Sequence, residues 1–555
     1  MSVFYDLSKT PRNILNQAIV RAIISENNGA LFDPSDLSTL YQDVAGTIPV
    51  TAVEQPVGLM LDKSRGMMLG PDKPVYMGLL WTLNAGTYTK TTAGWSPLGF
   101  YGLELKKTYF LTFRVKTLGA GQLIYLVRRN SAGTGNETVT TFNVVAGGIY
   151  TARVSIVTDG YTPAELWLDS DTFIGDIDNI SIKELYGYHA TQSITASRPT
   201  LSARYNMLTK TEDFSDAVWS VYAQGTGSVP IKTNNYGIAP DGSQTAGRIQ
   251  LSLNGGNTNS DRSDIYTGVS TVAGMAYSID VWFKTADNTT KTIALNFNFL
   301  GGENVIITGV WKKFTVSLSS AIDTYRFMRF GLRGGSNTSD SADILIWHPQ
   351  QVVGLSAGPY QRVNTATDYD TDERYFPKYL RFDGVDDYLN LPYMGLYAGG
   401  EMSIIAARNA VSQATDTYII SERSTTDADP KYFPSRQLAS AGNMDAYISD
   451  DAGTVVLDTV GSPFSGVANA VIRSIVDSGN NLKLLKNGVL AANDNYTRSG
   501  TLTLNNTTIG ASVSTTTSNY ASMKMYGLIV TKSALTDAQR VRCERFLARK
   551  SGVML

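Results

Sequence analysis

The sequence predicts an all-β chain with one helix near its start and another at its end. Three observations predict it. First, 555 residues exceed one domain, and about 100–200 residues per domain gives three or four. Second, charged residues make up only 17%, against about a quarter in ordinary soluble chains. Ser, Thr, Asn, 50 Gly and 30 Tyr take their place, a mixture that suits short strands joined by many turns. Third, strands of apolar-polar alternation recur in the same order in two separate stretches between 67 and 362.

The same composition excludes several classes. The 47 Lys plus Arg nearly balance the 49 Asp plus Glu, and no basic stripe marks a nucleic-acid partner. One cysteine, Cys543, permits no intrachain disulfide framework, and two histidines leave too few ligands for a Cys/His zinc site. Arg21 interrupts the longest apolar run, so membrane insertion is not expected. The opening MSVFYDLSKTPRN lacks a basic start followed by an apolar stretch. The chain is therefore expected to remain in the cytosol or to leave it by lysis.

Residues 1–66 come first. Thr10 can cap a helix over 11–27, Pro11 suits its first position and Asn28-Gly29 closes it. Ile14, Leu15, Ala18, Ile19, Ala22 and Ile23 give it a broad apolar face. That face fits either the chain's own core or a bundle of copies around an axis. The stretch LFDPSDLSTLYQDVAGTIPVTAVEQPVGLMLDKS, 31–64, carries few strand signals and three prolines. It resembles a segment near the start of many bacteriophage tail and virion proteins, in which DPSDLSTL(F/Y)QD precedes PVT and QPVGLMLDKS. The resemblance implies a virion context, with 1–66 attaching the chain to other tail or capsid proteins.

Two copies of one sandwich follow, at 67–187 and 206–362. Tyr109 to Lys116 and Tyr277 to Lys284 span equal lengths, with apolar residues at alternate positions between them. Gly148-Ile-Tyr150 leads to Val154-Ser-Ile156, as Gly309-Val-Trp311 leads to Val316-Ser-Leu318. Each copy closes on a short apolar strand, Asn179–Ile182 or Asp343–Ile346. The Tyr-x-apolar-x-apolar strand and DNISIKEL at 178–185 resemble the jelly-roll carbohydrate-binding modules of glycan-active enzymes and phage tail proteins. The second copy's NMLTKTEDFSDAVW at 206–219 and APDGSQTA at 239–246 resemble phage members of that group. The first copy departs from this opening, having Met77-Gly-Leu-Leu-Trp81. Residues 188–205, polar and Pro-containing, and 363–377, rich in Thr, Asp and Tyr, read as linkers.

The last domain, 378–555, begins YLRFDGVDDYL at 379–389, which resembles the opening strand of concanavalin A-like (laminin G-like) jelly rolls. Asn487-Gly488 marks a hairpin, Thr508–Gly510 the strand after it and Met525–Val530 the final strand. A helix then starts at Thr536, with Gln539 three residues on, and carries Cys543, Phe546 and Leu547 on one edge. The whole reads as three tandem jelly-roll β-sandwiches.

Candidate chemistry is sparse. Asp383, Asp386 and Asp387 carry enough oxygens to hold Ca²⁺, but the expectation is that Asp383-Gly384 makes a turn while the other two bond nearby amides. Glycoside cleavage needs two carboxylates across one bond, and 378–555 contains no E-x-D-x-E pattern of the concanavalin A-like glycosidases. Glu104, Glu165 and Glu401 are scattered. His189 falls in a linker and His348 after a closing strand. Sugar rings stack on aromatic faces, so Trp81, Tyr88, Trp95 and Trp347 are the ligand candidates, whereas Trp219 and Trp282 read as core. The expectation is a non-enzymatic, tail-fibre-like virion protein that recognises host-surface polysaccharide. A homotrimer is what the fibre resemblance implies. A purely structural connector or decoration protein is the alternative; a glycan depolymerase is disfavoured.

Overall fold

A computed structural model describes residues 12–555, apart from 105–106, 130–135, 157–163, 272–275, 298–299, 319–324, 411–415, 428–430, 438–442, 450–451, 454, 464–470 and 498–501. Thr10 and Pro11, expected to open the first helix, and the side chains of Ile14 and Leu15 lie outside the described residues. The chain is all-β: described strands form three two-sheet sandwiches, and the two α-helices stand near its ends.

The first sandwich pairs two sheets. Its front sheet runs Asn136–Asn143, Leu123–Arg129, Ala164–Asp169, Leu98–Leu103, Val75–Met77. Its back sheet runs Ile149–Ser155, Thr108–Ala120, Ile174–Leu185, Thr87–Lys90, Trp81–Asn84, with Leu69–Asp72 beside Ile174–Leu185. The second sandwich repeats that order strand for strand. Its front sheet is Leu300–Ile307, Lys291–Phe297, Tyr325–Arg333, Arg262–Ser270, Ser220–Gln224; its back sheet is Lys312–Leu318, Tyr277–Thr285, Ser341–Val353, Ala246–Ser252, Ile231–Gly237. Ten strands thus match in chain order and in neighbours, which is the duplication read from Tyr109 and Tyr277. The alternation has the expected cause: Tyr109, Leu111, Phe113 and Val115 are buried in one core, and Tyr277, Ile279, Val281 and Phe283 in the other. The closing-strand acids Asp178 and Asp343 each hold an arginine in a two-point bond, but from different strands of the repeat, Arg114 on Thr108–Ala120 and Arg248 on Ala246–Ser252.

The third sandwich is where sequence and structure part. One of its sheets runs Thr200–Ser202, Tyr379–Asp383, Ser522–Thr531, Met402–Ala410, Val471–Asp477, Asn481–Lys486, Val489–Asn495, and Ala30–Phe32 pairs with Leu528, Ile529 and Val530. The other begins Leu40–Tyr41, Leu59–Met60, Ala190–Thr191, Leu389–Leu391 and continues to Val455–Pro463. Residues 31–64 therefore do not stand apart as an attachment arm, and 188–205 is no linker. Both supply strands to the third sandwich, and the two matched sandwiches are insertions in it rather than the first beads of a string. Residues 363–377 also pack: Val363, Tyr369 and Phe376 form a small buried cluster with Ala203.

Polar residues of the first segment knit this frame. The Asp62 carboxylate accepts from the Leu31, Ser64 and Tyr188 amides. His189, fully buried, accepts from the Asp62 amide at Nδ1 and meets the Leu185 carbonyl at Nε2, and burial holds it neutral. Lys63 bridges Asp33 and Asp36, and Lys550 reaches Asp33 from the far end of the chain.

The helix Arg12–Glu26 buries Val20, Ile23 and Ile24 against Leu547, Phe546 and Ile529. Its apolar face thus packs on the chain's own core, while Ala18 and Ala22 stay exposed. The C-terminal helix, Asp537–Ser551, has the expected capping box at Thr536 and Gln539, ends on Gly552 in the left-handed region, and buries Cys543, Phe546 and Leu547. Asn487 and Gly488 both take positive φ, as their hairpin turn requires. Among the described residues no helix is long and apolar enough to cross a membrane.

Candidate functional site

The four aromatic candidates do not converge. Trp81 is 6% exposed: its indole N–H donates to the Ser96 carbonyl at 2.5 Å and its ring stacks on Phe173. Tyr88 is half-buried against the same core. Trp347 is 7% exposed, donates to Thr245 Oγ1 at 3.1 Å and lies against His348. Both rings are largely covered, Trp81 by Phe173 and Trp347 by His348 and Trp282. Trp95 alone keeps an open ring, at 45% exposed. Trp219 is core as expected, but Trp282 is not in the main core; it sits half-buried on the outer side of the back sheet, edge-on to Trp347.

Alternation places a different set of aromatics together. In the second sandwich's front sheet Ile265, Met328, Phe330 and Leu332 point inward, so Asp264, Tyr266, Phe327, Arg329 and Arg333 share the outer face. Tyr222 joins them from the edge strand, opposite Asp264, and is 36% exposed. Tyr266 and Phe327 meet edge to face at 4.9 Å between centroids. The Arg329 guanidinium lies 5.2 Å from the centre of the Tyr222 ring and 5.5 Å from that of Tyr266, and it forms an ion pair with Asp264. Burial pushes the Asp264 carboxyl up despite the three arginines Arg329, Arg262 and Arg333 that draw it down.

The first sandwich has the matching face. Leu166, Leu168, Phe100, Ile124 and Leu126 are core, which turns Trp167, Tyr101 and Tyr125 outward. Tyr76, 53% exposed, meets Tyr101 edge to face at 4.9 Å. The Tyr101 ring lies over Gly99, where a Cβ would come within 2.9 Å of it. Rings set flat or edgewise on an exposed sheet, with amide and guanidinium donors among them, can stack a sugar and bond its hydroxyls. The sequence signal for these residues lies in the outward half of each alternating strand, in RSDIYTGVS and YRFMRFGLR.

The acidic trio is gathered as expected. Carboxylate oxygens of Asp383, Asp386 and Asp387 lie within 4.8 Å of one another. Asp383 accepts from the Val385 amide at 2.8 Å across a turn that puts Gly384 at positive φ. Asp387, buried, accepts from the Asp383 amide, and Asp386 accepts from the Ser197 hydroxyl. Burial, then the Asp383 charge, pushes the Asp387 carboxyl up to about 7. Glu104 and Glu165 lie near each other at one end of the first front sheet, beside the paired residues Leu103 and Ala164, whereas Glu401 stands in the third sandwich, before Met402–Ala410.

No family model matches the chain, and no curated protein matches it. Solved structures do. The carbohydrate-binding module of the Ruminococcus gnavus IT-sialidase, bound to α2,3 sialyllactose, is 16% identical, covering 26% of this chain and 82% of that one, at a TM-score of 0.23. The tandem module pair of Paenibacillus barcinonensis Xyn10C is 12% identical over 51% of this chain and 98% of its own, at 0.20. A fragment of bacteriophage CBA120 tailspike protein 4 is 11% identical over 27% and 22%, at 0.20. Likenesses this distant carry no functional argument, and the reading rests on the residues.

Proposed function

We propose that this chain is a non-enzymatic, fibre-like virion protein that recognises host-surface glycan through the front faces of its two matched sandwiches. One observation carries the recognition part: both copies turn a cluster of aromatic rings outward from the same sheet, where a core-only role would bury them. The virion part rests on the resemblance of 31–64 to phage tail proteins. Stacking one ring gives weak affinity per site, and two faces on one chain, multiplied by a trimer, raise the apparent affinity by roughly 10²–10⁴ where the geometry permits. Calcium at Asp383, Asp386 and Asp387 belongs to the same reading as a structural ion of the frame.

The test incubates the full-length chain with a panel of bacterial envelope polysaccharides and measures retention and reducing-end release together. Retention without release is the expected result, with sedimentation reporting a trimer. Steady release of oligosaccharides overturns the non-enzymatic reading. A connector role is the second reading, favoured by the weave of the first segment into the third sandwich; retention on no glycan would select it. Immunogold labelling of intact particles tests the virion assignment.

A further inference from the structure

The two front faces repeat a fold but differ in charge. On the second, Arg262 and Arg333 stand directly opposite each other on neighbouring antiparallel strands. Like charges in that position destabilise a sheet, so the pair is an odd choice for scaffolding alone. Arg329 lies on the same outer side of its strand as Arg333, two alternations away, with Gly331 between them. Among the described residues the acid on this face is Asp264, and both its bonds from Arg329 fall on the single oxygen Oδ2. The acid before Arg262, Asp261, is taken up by the Thr226 and Thr258 amides and hydroxyls. Arg262, Arg329 and Arg333 all lie close enough to Asp264 to draw its carboxyl down. Arg262 and Arg333 are half-buried, so their charge reaches solvent. Gly331 keeps the middle of the face low: a Cβ there would fall 2.5 Å from Asp264 Oδ1.

We propose that the second sandwich's front face selects an acidic sugar, its carboxylate held by Arg333 and Arg262 and its ring stacked on Tyr222. The inference rests on the glycan reading above and deepens it. A guanidinium presents parallel N–H donors that match a carboxylate in a two-point bond, which a lysine patch would not supply. Tyr222 provides the flat apolar wall that distinguishes a sugar from a bare anion. The first front face, with Tyr76, Tyr101 and Trp167, serves neutral residues of the same polymer.

The experiment uses the full-length chain on immobilised polygalacturonate and polysialic acid, each beside its carboxyl-reduced form, with dextran sulfate and duplex DNA as further probes. Retention should fall about tenfold or more when the carboxyls are reduced. Arg333→Gln and Arg262→Gln should each weaken retention of the acidic polymer about three- to tenfold, and Tyr222→Ala should do the same. None of the three should alter the melting of the chain by much, since each side chain is partly exposed. Equal retention of native and reduced polymers, or no loss in Arg333→Gln, overturns the acidic-sugar inference and leaves glycan recognition standing. Retention of dextran sulfate and DNA with the same arginine dependence but no loss in Tyr222→Ala also overturns it, in favour of a non-specific anion patch. Retention of no glycan at all overturns both.

Discussion

The two inserted sandwiches share ten strands in one order, yet each handles its buried charge differently. In the first, Lys90 is fully buried and bonds the Gly94 and Ser170 carbonyls, with Asp169 at 3.4 Å. That pair ties the back sheet to the loop before Leu98, well inside the fold. In the second, the buried pair is Arg329 and Asp264, and it floors the front face beneath Tyr222 and Tyr266. A duplicated fold therefore does not duplicate a site. Topology is fixed by the inward half of each strand, and the outward half is left to diverge.

Removing the second floor is the strongest way to break this comparison. Arg329→Met leaves Asp264 buried without its guanidinium and should cost about 3–5 kcal/mol in denaturant unfolding of the second sandwich. Asp264→Asn in the same background should recover part of that loss. If Arg329→Met is neutral, the pair is not a floor.

A buried acid set among other carboxylates sharpens the contrast. Asp387 faces two more carboxylates, and its carboxyl is pushed up to about 7. Between pH 4 and 7 the folded state holds a proton that the unfolded state has released. Stability should therefore fall as pH rises through this window and stay low above it, by about 1–3 kcal/mol. Thermal melts of Asp387→Asn should lack that slope. Calcium at pH 8 should raise the melting temperature of the parent chain and not of the variant.

The next effect lies in recognition. Tyr76→Ala should weaken retention of a neutral glycan and Tyr222→Ala that of an acidic one, each about three- to tenfold, equivalent to about 0.7–1.4 kcal/mol. A crossed or equal pattern would show that the faces do not divide the ligand. The smallest effect is a gain: Arg262→Gln removes a like-charged cross-strand pair and should stabilise the second sandwich by about 0.5 kcal/mol at low salt, fading as salt rises.

Much of this was legible in the sequence, for local reasons. Tyr109 and Tyr277 announce the duplication because alternation is a property of neighbours in the chain. Thr536 with Gln539 and Asn487 with Gly488 are equally local. The frame was not legible. Ala30–Phe32, Leu40–Tyr41 and Leu59–Met60 are strands of two or three residues, too short for any period, and Ala30 pairs with Val530. The site was half legible: Tyr266 and Arg329 show in the pattern as polar-side residues, but only the sheet order brings Tyr222 beside them. Residue type alone does not tell a covered ring, such as Trp81 or Trp347, from an exposed one, such as Trp95.

The pairing of Ala30 with Val530 also orders events during synthesis. The ribosome adds about 5–20 residues per second, so the partner of the first strand emerges roughly half a minute or more after that strand. Each inserted sandwich has all its strands long before then and can fold as it emerges. The frame cannot close until the last strand, Ser522–Thr531, is released. Until that moment Ala30–Phe32 presents unpaired backbone edges, a state in which the nascent chain is exposed to wrong pairing with a neighbouring copy. Truncation before residue 522 should thus leave two folded sandwiches on an open, aggregation-prone frame, detectable as protease-resistant fragments spanning 67–187 and 206–362.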